Sequence, residues 1–142
     1  MKLEFAFLAD AATLQDNGLF AVVSGGFDVI ESSRLPAVKH AMALIGRVRF
    51  EPEECGRSYS IKAEIVAPNG AVLGQDLAPV LTIQFFQFPH PRYPERSNVT
   101  TFCFNYQGVS FHSRGDYKIR LVAEARVIGE VGIEVIAEGS AP

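Results

Sequence analysis

Apolar and polar side chains alternate with a period of two along most of this chain, the spacing that puts every second side chain on one face of an extended strand. In 39–50 the even positions Met42, Leu44, Val48 and Phe50 are apolar, against Lys39, Arg47 and Arg49 on the other face. In 57–67 the apolar set is odd, Tyr59, Ile61, Ala63 and Ile65, with Ser58, Ser60, Lys62 and Glu64 between them. Phe102, Phe104 and Tyr106 alternate with Thr101, Cys103 and Asn105 in a strand from Asn98 to Tyr106 that closes at Gln107-Gly108. Tyr117, Ile119, Leu121 and Ala123, then Val131, Ile133 and Val135, predict a terminal hairpin. Its wet face carries Lys118, Arg120, Glu124, Glu130 and Glu134.

Two further regions extend the pattern. Val80 to Phe88 carries β-branched and aromatic residues on both faces, as a central strand covered on both sides would. At the front, Leu3 to Leu8 and Leu19 to Val23 flank a polar stretch around Asp16-Asn17-Gly18 and read as a first pair of strands. The total is about eight strands. Pro68-Asn69-Gly70 and Gly74-Gln75-Asp76 supply turns. Only Ala9 to Gln15 and Pro36 to Ala43 tolerate helix, and neither sustains the spacing of three and four that an amphipathic helix needs, so one short helical turn is the most expected.

The chain has 142 residues, 48% of them hydrophobic, which matches one domain with its own core. Eleven Phe, twelve Gly and eight Pro suit short extended segments punctuated by turns. No shift in composition divides the chain, so residues 1–136 read as one domain and 137–142 as a C-terminal tail. The expected class is all-β: short strands with turns between them fit a two-layer sandwich or a barrel, and an antiparallel two-layer β-sandwich is the favoured one. Its last hairpin is Ig-like. Gly115-Asp116-Tyr117-x-Ile119-x-Leu121 follows Phe111, and a Tyr after a Gly-containing corner at the start of a late strand turns its hydroxyl back onto upstream backbone in such folds. The absence of Trp and of a Cys two residues after Tyr117 argues against a true immunoglobulin domain.

A formal charge of −3 argues against phosphate-driven affinity, so neither nucleic acid nor an anionic membrane is an expected partner. The opening run Phe5-Ala6-Phe7-Leu8-Ala9 is bracketed by Glu4 and Asp10, too short for a secretory segment. The simplest location is cytoplasmic. Cys55 in a polar turn and Cys103 in a strand read as unpaired there.

Three stretches carry a family likeness: Phe5-Ala6-Phe7-Leu8-Ala9-Asp10-Ala11-Ala12, Leu19 through Ser24-Gly25-Gly26-Phe27-Asp28, and the corner from Phe111 to Tyr117. Together they resemble an uncharacterised bacterial family of small all-β proteins. Its members have a Leu-Ala-Asp-Ala-like start, a Gly-Gly-Phe/Trp-Asp segment and a C-terminal Gly-x-Tyr hairpin. The resemblance implies a β-sandwich and no established activity.

Catalytic and ligand chemistries find little support in the residues. Gly25-Gly26 beside Asp28 lacks the further glycines and Lys-Ser/Thr of a phosphate loop, and reads as a positive-φ turn or bulge. Ser110, His112 and Asp116 have the atoms of a triad but no nucleophile elbow. His40, His90 and His112 are scattered, so no metal or other cofactor is expected. The remaining feature is the aromatic, Pro-rich stretch from Phe85 to Arg96. Pro89, Pro91 and Pro94 stiffen it, and Phe86, Phe88, His90, Arg92 and Tyr93 are the candidate binding residues. Two outcomes are open: a rigid aromatic patch on the surface, or Phe residues tucked into the end of the fold. The expected function is a non-catalytic protein-binding or assembly module, with self-association included. The alternative is a small-molecule-binding protein or enzyme with a site at the sandwich end.

Overall fold

A computed structural model describes residues 1–74 and 77–138. Ten strands run in chain order: β1 (Lys2–Ala9), β2 (Ala11–Leu14), β3 (Phe20–Val23), β4 (Val29–Ser32), β5 (Ala37–Phe50), β6 (Arg57–Val66), β7 (Leu81–Gln87), β8 (Asn98–Phe111), β9 (Gly115–Ala123) and β10 (Arg126–Ala137). A 3-10 turn, Pro52–Glu54, separates β5 from β6. The protein is therefore all-β, as the alternation predicts.

The strands form a three-stranded sheet β1-β5-β8, a five-stranded sheet β4-β10-β9-β6-β7 and a two-stranded hairpin β2-β3. Among the described residues pairing is antiparallel except between β4 and β10, which run parallel, so the five-stranded sheet is mixed and the other two are antiparallel. The alternating apolar sets of β5, β6, β8 and β9 point inward. Met42, Leu44, Val48 and Phe50 of β5 and Phe102, Phe104 and Tyr106 of β8 meet Tyr59, Ile61, Ala63 and Ile65 of β6. Tyr117, Ile119, Leu121 and Ala123 of β9 complete the same core cluster. Each large aliphatic or aromatic side chain buried there contributes about 1.5–3 kcal/mol against its exposed state.

Several expectations need correction. The described residues hold ten strands rather than about eight, because the short strands Ala11–Leu14 and Val29–Ser32 are not among those read from the pattern. The two helix-tolerant windows contribute to β2 and β5. The front strands do not pair with each other. A tight turn, with the Gln15 N–H on the Leu19 carbonyl at 2.8 Å, closes β3 onto its immediate neighbour β2, and β1 pairs instead with β5. β8 does not stop at Gln107-Gly108 but continues to Phe111. Gly108, at φ +73°, lets the strand switch which parity it buries, from Phe102, Phe104 and Tyr106 to Val109 and Phe111.

The run Val80 to Phe88 is not a central strand. β7 is the outer edge of the five-stranded sheet. Leu81, Ile83 and Phe85 lean inward, whereas Thr82, Gln84 and Phe86 are exposed. Apolar residues on both faces do not mark a second covering layer here, because the outer ones remain in solvent. At the far end Ala137 still pairs with Ser32 and the Glu138 N–H reaches the Ser32 carbonyl, so the first residues of the expected tail belong to the sheet. The rest of that tail, 139–142, and the turn residues Gln75 and Asp76 lie outside the described residues.

The expected corner forms. The Tyr117 hydroxyl donates to the Ser113 carbonyl at 2.9 Å and accepts from the Ser113 N–H at 3.3 Å, while the ring meets Phe111 edge-on at 4.9 Å.

Candidate surface at the loop between β7 and β8

The connection from Gln87 to Asn98 leaves the edge of one sheet and enters the edge of the other. Its base is pinned. Gln87, the only buried polar residue among those described, accepts a hydrogen bond from the Thr100 hydroxyl through Oε1 and donates through Nε2 to the Phe88 carbonyl. The Asn98 side chain donates to that same carbonyl at 3.0 Å. A buried amide with both ends satisfied holds β7 against β8, so the loop beyond it is presented from a fixed root.

Phe85, Phe86 and Phe88 divide. Phe85 turns inward and packs on Phe50 and Tyr59, with ring centroids at 5.9 and 6.2 Å. Phe86 and Phe88 do not tuck in. They meet each other edge-on at 4.8 Å in solvent, Phe86 46% and Phe88 67% exposed.

Beyond Pro89 the chain folds around His90. Its Nδ1 accepts the backbone N–H groups of Arg92 and Tyr93 at 3.2 and 3.1 Å, which places the ring proton on Nε2. The His90 and Tyr93 rings lie 5.5 Å apart. A turn with the Arg96 N–H on the Tyr93 carbonyl then brings the Arg96 guanidinium over the Tyr93 ring at 4.9 Å. The structure thus gathers the five sequence candidates into two groups, Phe86 with Phe88 and His90 with Tyr93. Arg92 enters through its backbone N–H, and its side chain is exposed.

Two shallow depressions adjoin at His90 and Asn98. One, of about 490 Å³, is apolar and lined by Phe88, Pro89, Pro91 and Pro94. The other, of about 480 Å³, is polar and includes Arg49, Arg96 and Ser97. The sequence reading missed Arg49, Arg96 and Asn98. Arg49 arrives because Phe50 pairs with Asn98 across β5 and β8, a long-range register invisible in the chain. Its guanidinium bridges Ser97, at 2.7 Å, to Glu4, at 2.8 Å. Arg49 and then Arg47 hydrogen-bond the Glu4 carboxyl and hold its pKa below the usual value.

Chemistry elsewhere is sparse. A depression of about 670 Å³ is an open groove between β1 and β10, lined by Leu8, Phe27, Asp28, Asp116, Glu130 and Glu134 among others. The Gly25-Gly26 segment closes its end structurally: the Gly26 N–H, at φ +93°, donates to the Leu8 carbonyl, and the Asp28 carbonyl accepts from the Glu134 N–H. No hydrogen bond joins Ser110, His112 and Asp116, and no three His, Cys, Asp or Glu residues among those described group as metal ligands. Cys55 and Cys103 are free, and burial pushes both thiols up in pKa. No helix among the described residues is long and apolar enough to cross a membrane.

The matching family model spans residues 4–136, from the bulge at Glu4 almost to the end of β10. The chain belongs to DUF6941, a family of unknown function. The matched range contains residues of all three sheets and runs past the loop between β7 and β8. A comparison with curated proteins finds no match.

Proposed function

We propose that this protein is a non-catalytic protein-binding or assembly module. Its scaffold is a cytoplasmic, Ig-like sandwich that offers the face around Phe86, Phe88, His90, Arg92 and Tyr93. The observation that carries this reading is the exposed pair formed by Phe86, near the end of β7, and Phe88, the first residue beyond the buried, hydrogen-bonded Gln87. Aromatic residues with Arg nearby are the types that supply most binding energy at protein interfaces, and a pre-ordered loop loses little entropy on docking. The second reading, small-molecule binding, has the groove between β1 and β10 as its place, but the charged side chains that line it, Asp28, Asp116, Lys118, Glu130 and Glu134, are on exposed residues.

A photoreactive amino acid at position 88 tests the proposal, with the same group at Lys118 on the wet face of β9 as control. The expected result is a discrete protein adduct, to another chain or to a copy of this one, at 88 and not at 118. Equal or absent crosslinking at both positions rejects it.

A further inference from the structure

β7 is an open edge, and no strand among the described residues pairs with its far side. Its hydrogen-bonding polarity follows from its pairing with β6. Arg57 is opposite Gln87, and the N–H of Gly56, at φ +87°, also donates to the Gln87 carbonyl at 2.7 Å. This is a bulge with glycine in the left-handed position, in which the opposing residue turns its backbone groups toward the bulged strand. Gln87 therefore faces β6, and alternation turns the N–H and C=O groups of Thr82, Gln84 and Phe86 out to the open edge. The Phe88 carbonyl, in phase with Phe86, is accordingly taken by the side-chain amides of Gln87 and Asn98 rather than by β6.

Natural edges are blunted by Lys, Pro, bulges or brevity. β7, Leu81-Thr82-Ile83-Gln84-Phe85-Phe86-Gln87, has no charge and no Pro, and its register with β6 is unbroken over all seven residues. A two-fold axis at Gln84 maps the strand onto itself from Leu81 to Gln87, the pair that falls at either end. Antiparallel pairing of the strand with its own copy in that register sets Gln84 against Gln84, Thr82 against Phe86 and Ile83 against Phe85. Each β-branched residue meets an aromatic one, a favourable cross-strand pair, and no like charges meet. The residues with outward backbone groups then oppose one another, so a two-fold axis at Gln84 passes through a hydrogen-bonded pair.

We infer that β7 pairs antiparallel with β7 of a second copy of this chain about that axis, joining two five-stranded sheets into one. The inference rests on the assembly reading above and names the partner. Sedimentation of the full chain across the micromolar range is expected to show a monomer–dimer equilibrium. Gln84→Lys, which opposes two ammonium groups at the axis, raises the dissociation constant by on the order of a hundredfold while leaving the monomer's thermal midpoint unchanged. Gln84→Pro removes an N–H that faces away from β6 and abolishes the dimer. With Cys55 and Cys103 changed to Ser, Gln84→Cys oxidises to a covalent dimer, and Thr82→Cys, whose counterpart is Phe86, does not. A parent that stays monomeric, or a dimer that survives Gln84→Lys, overturns the inference. If a monomeric parent still crosslinks a foreign protein at position 88, the second-copy inference falls and the contact surface stands. A monomer with no adduct removes both.

Discussion

Two buried tyrosines test how far hydrogen bonding, rather than ring packing, holds individual residues in place. Tyr117 exchanges hydrogen bonds with the Ser113 backbone, whereas the buried Tyr106 hydroxyl has no partner among the described residues and burial raises its pKa. Removing a satisfied buried hydroxyl costs about 1–2 kcal/mol, and removing an orphaned one costs nothing or stabilises. Tyr117→Phe is therefore expected to lower the urea midpoint and Tyr106→Phe to hold or raise it; equal losses would mean that Tyr106 has a partner such as a trapped water. Gly46 and Phe102 form a second pair, opposite each other on β5 and β8. A Cβ at Gly46 would lie 2.2 Å from the Phe102 ring carbon Cζ, so the ring occupies the space that only glycine leaves. Gly46→Ala is expected to cost about 1–3 kcal/mol, and less than that when combined with Phe102→Leu. A double-mutant cycle with no coupling would contradict the contact.

Single elements carry strain and charge that the core does not. The β9–β10 hairpin closes through Glu124-Ala125, both at positive φ, 52° and 60°, between the paired residues Ala123 and Arg126. A two-residue turn with both φ positive favours Asn-Gly, and β-carbon-bearing residues there cost about 1 kcal/mol each. Replacing Glu124-Ala125 with Asn-Gly should raise the urea midpoint with no change in slope, and a lower midpoint would show that the Glu124 side chain contributes more than the turn loses. On β1, the register slips between Leu3 and Phe5, leaving Glu4 as the bulged residue beside both Arg47 and Arg49. Because these arginines depress its folded-state pKa, Glu4 stabilises the fold at neutral pH, and that contribution is lost as pH falls through the carboxylate range, about pH 4 and below. Glu4→Gln should therefore be less stable than the parent at pH 7, by a margin that shrinks as pH falls through the carboxylate range; a difference independent of pH would point to packing instead.

At the scale of the molecule, both large sheets feed one apolar cluster, so unfolding is expected as one transition, coincident by far-ultraviolet dichroism and tyrosine fluorescence. Separate midpoints would show that the sheets are independently stable. Much of this fold was legible in the chain, because a strand's side-chain period is set by local backbone geometry. The inward sets of β5, β6, β8, β9 and β10, the Pro68-Asn69-Gly70 turn, with the Gly70 N–H on the Ala67 carbonyl, and the Tyr117 corner all follow from residue order. The candidate residues from Phe86 to Tyr93 were legible as types, an aromatic and proline-rich run, but not as a surface. Whether Phe86 and Phe88 would be buried depended on what covered them, and that in turn depended on β7 lying at an edge instead of in the middle. Local periodicity says which side of a strand is apolar. It carries no information about which strands become neighbours, since pairing is decided by backbone hydrogen bonds that are the same for every residue and by contacts between segments far apart in sequence. The sequence by itself therefore determined the strands and their faces. Only the tertiary structure decided their order, and with it that Arg49 would meet the loop, that β1 would leave β3 for β5, and that an uncharged strand would be left with its hydrogen bonds open.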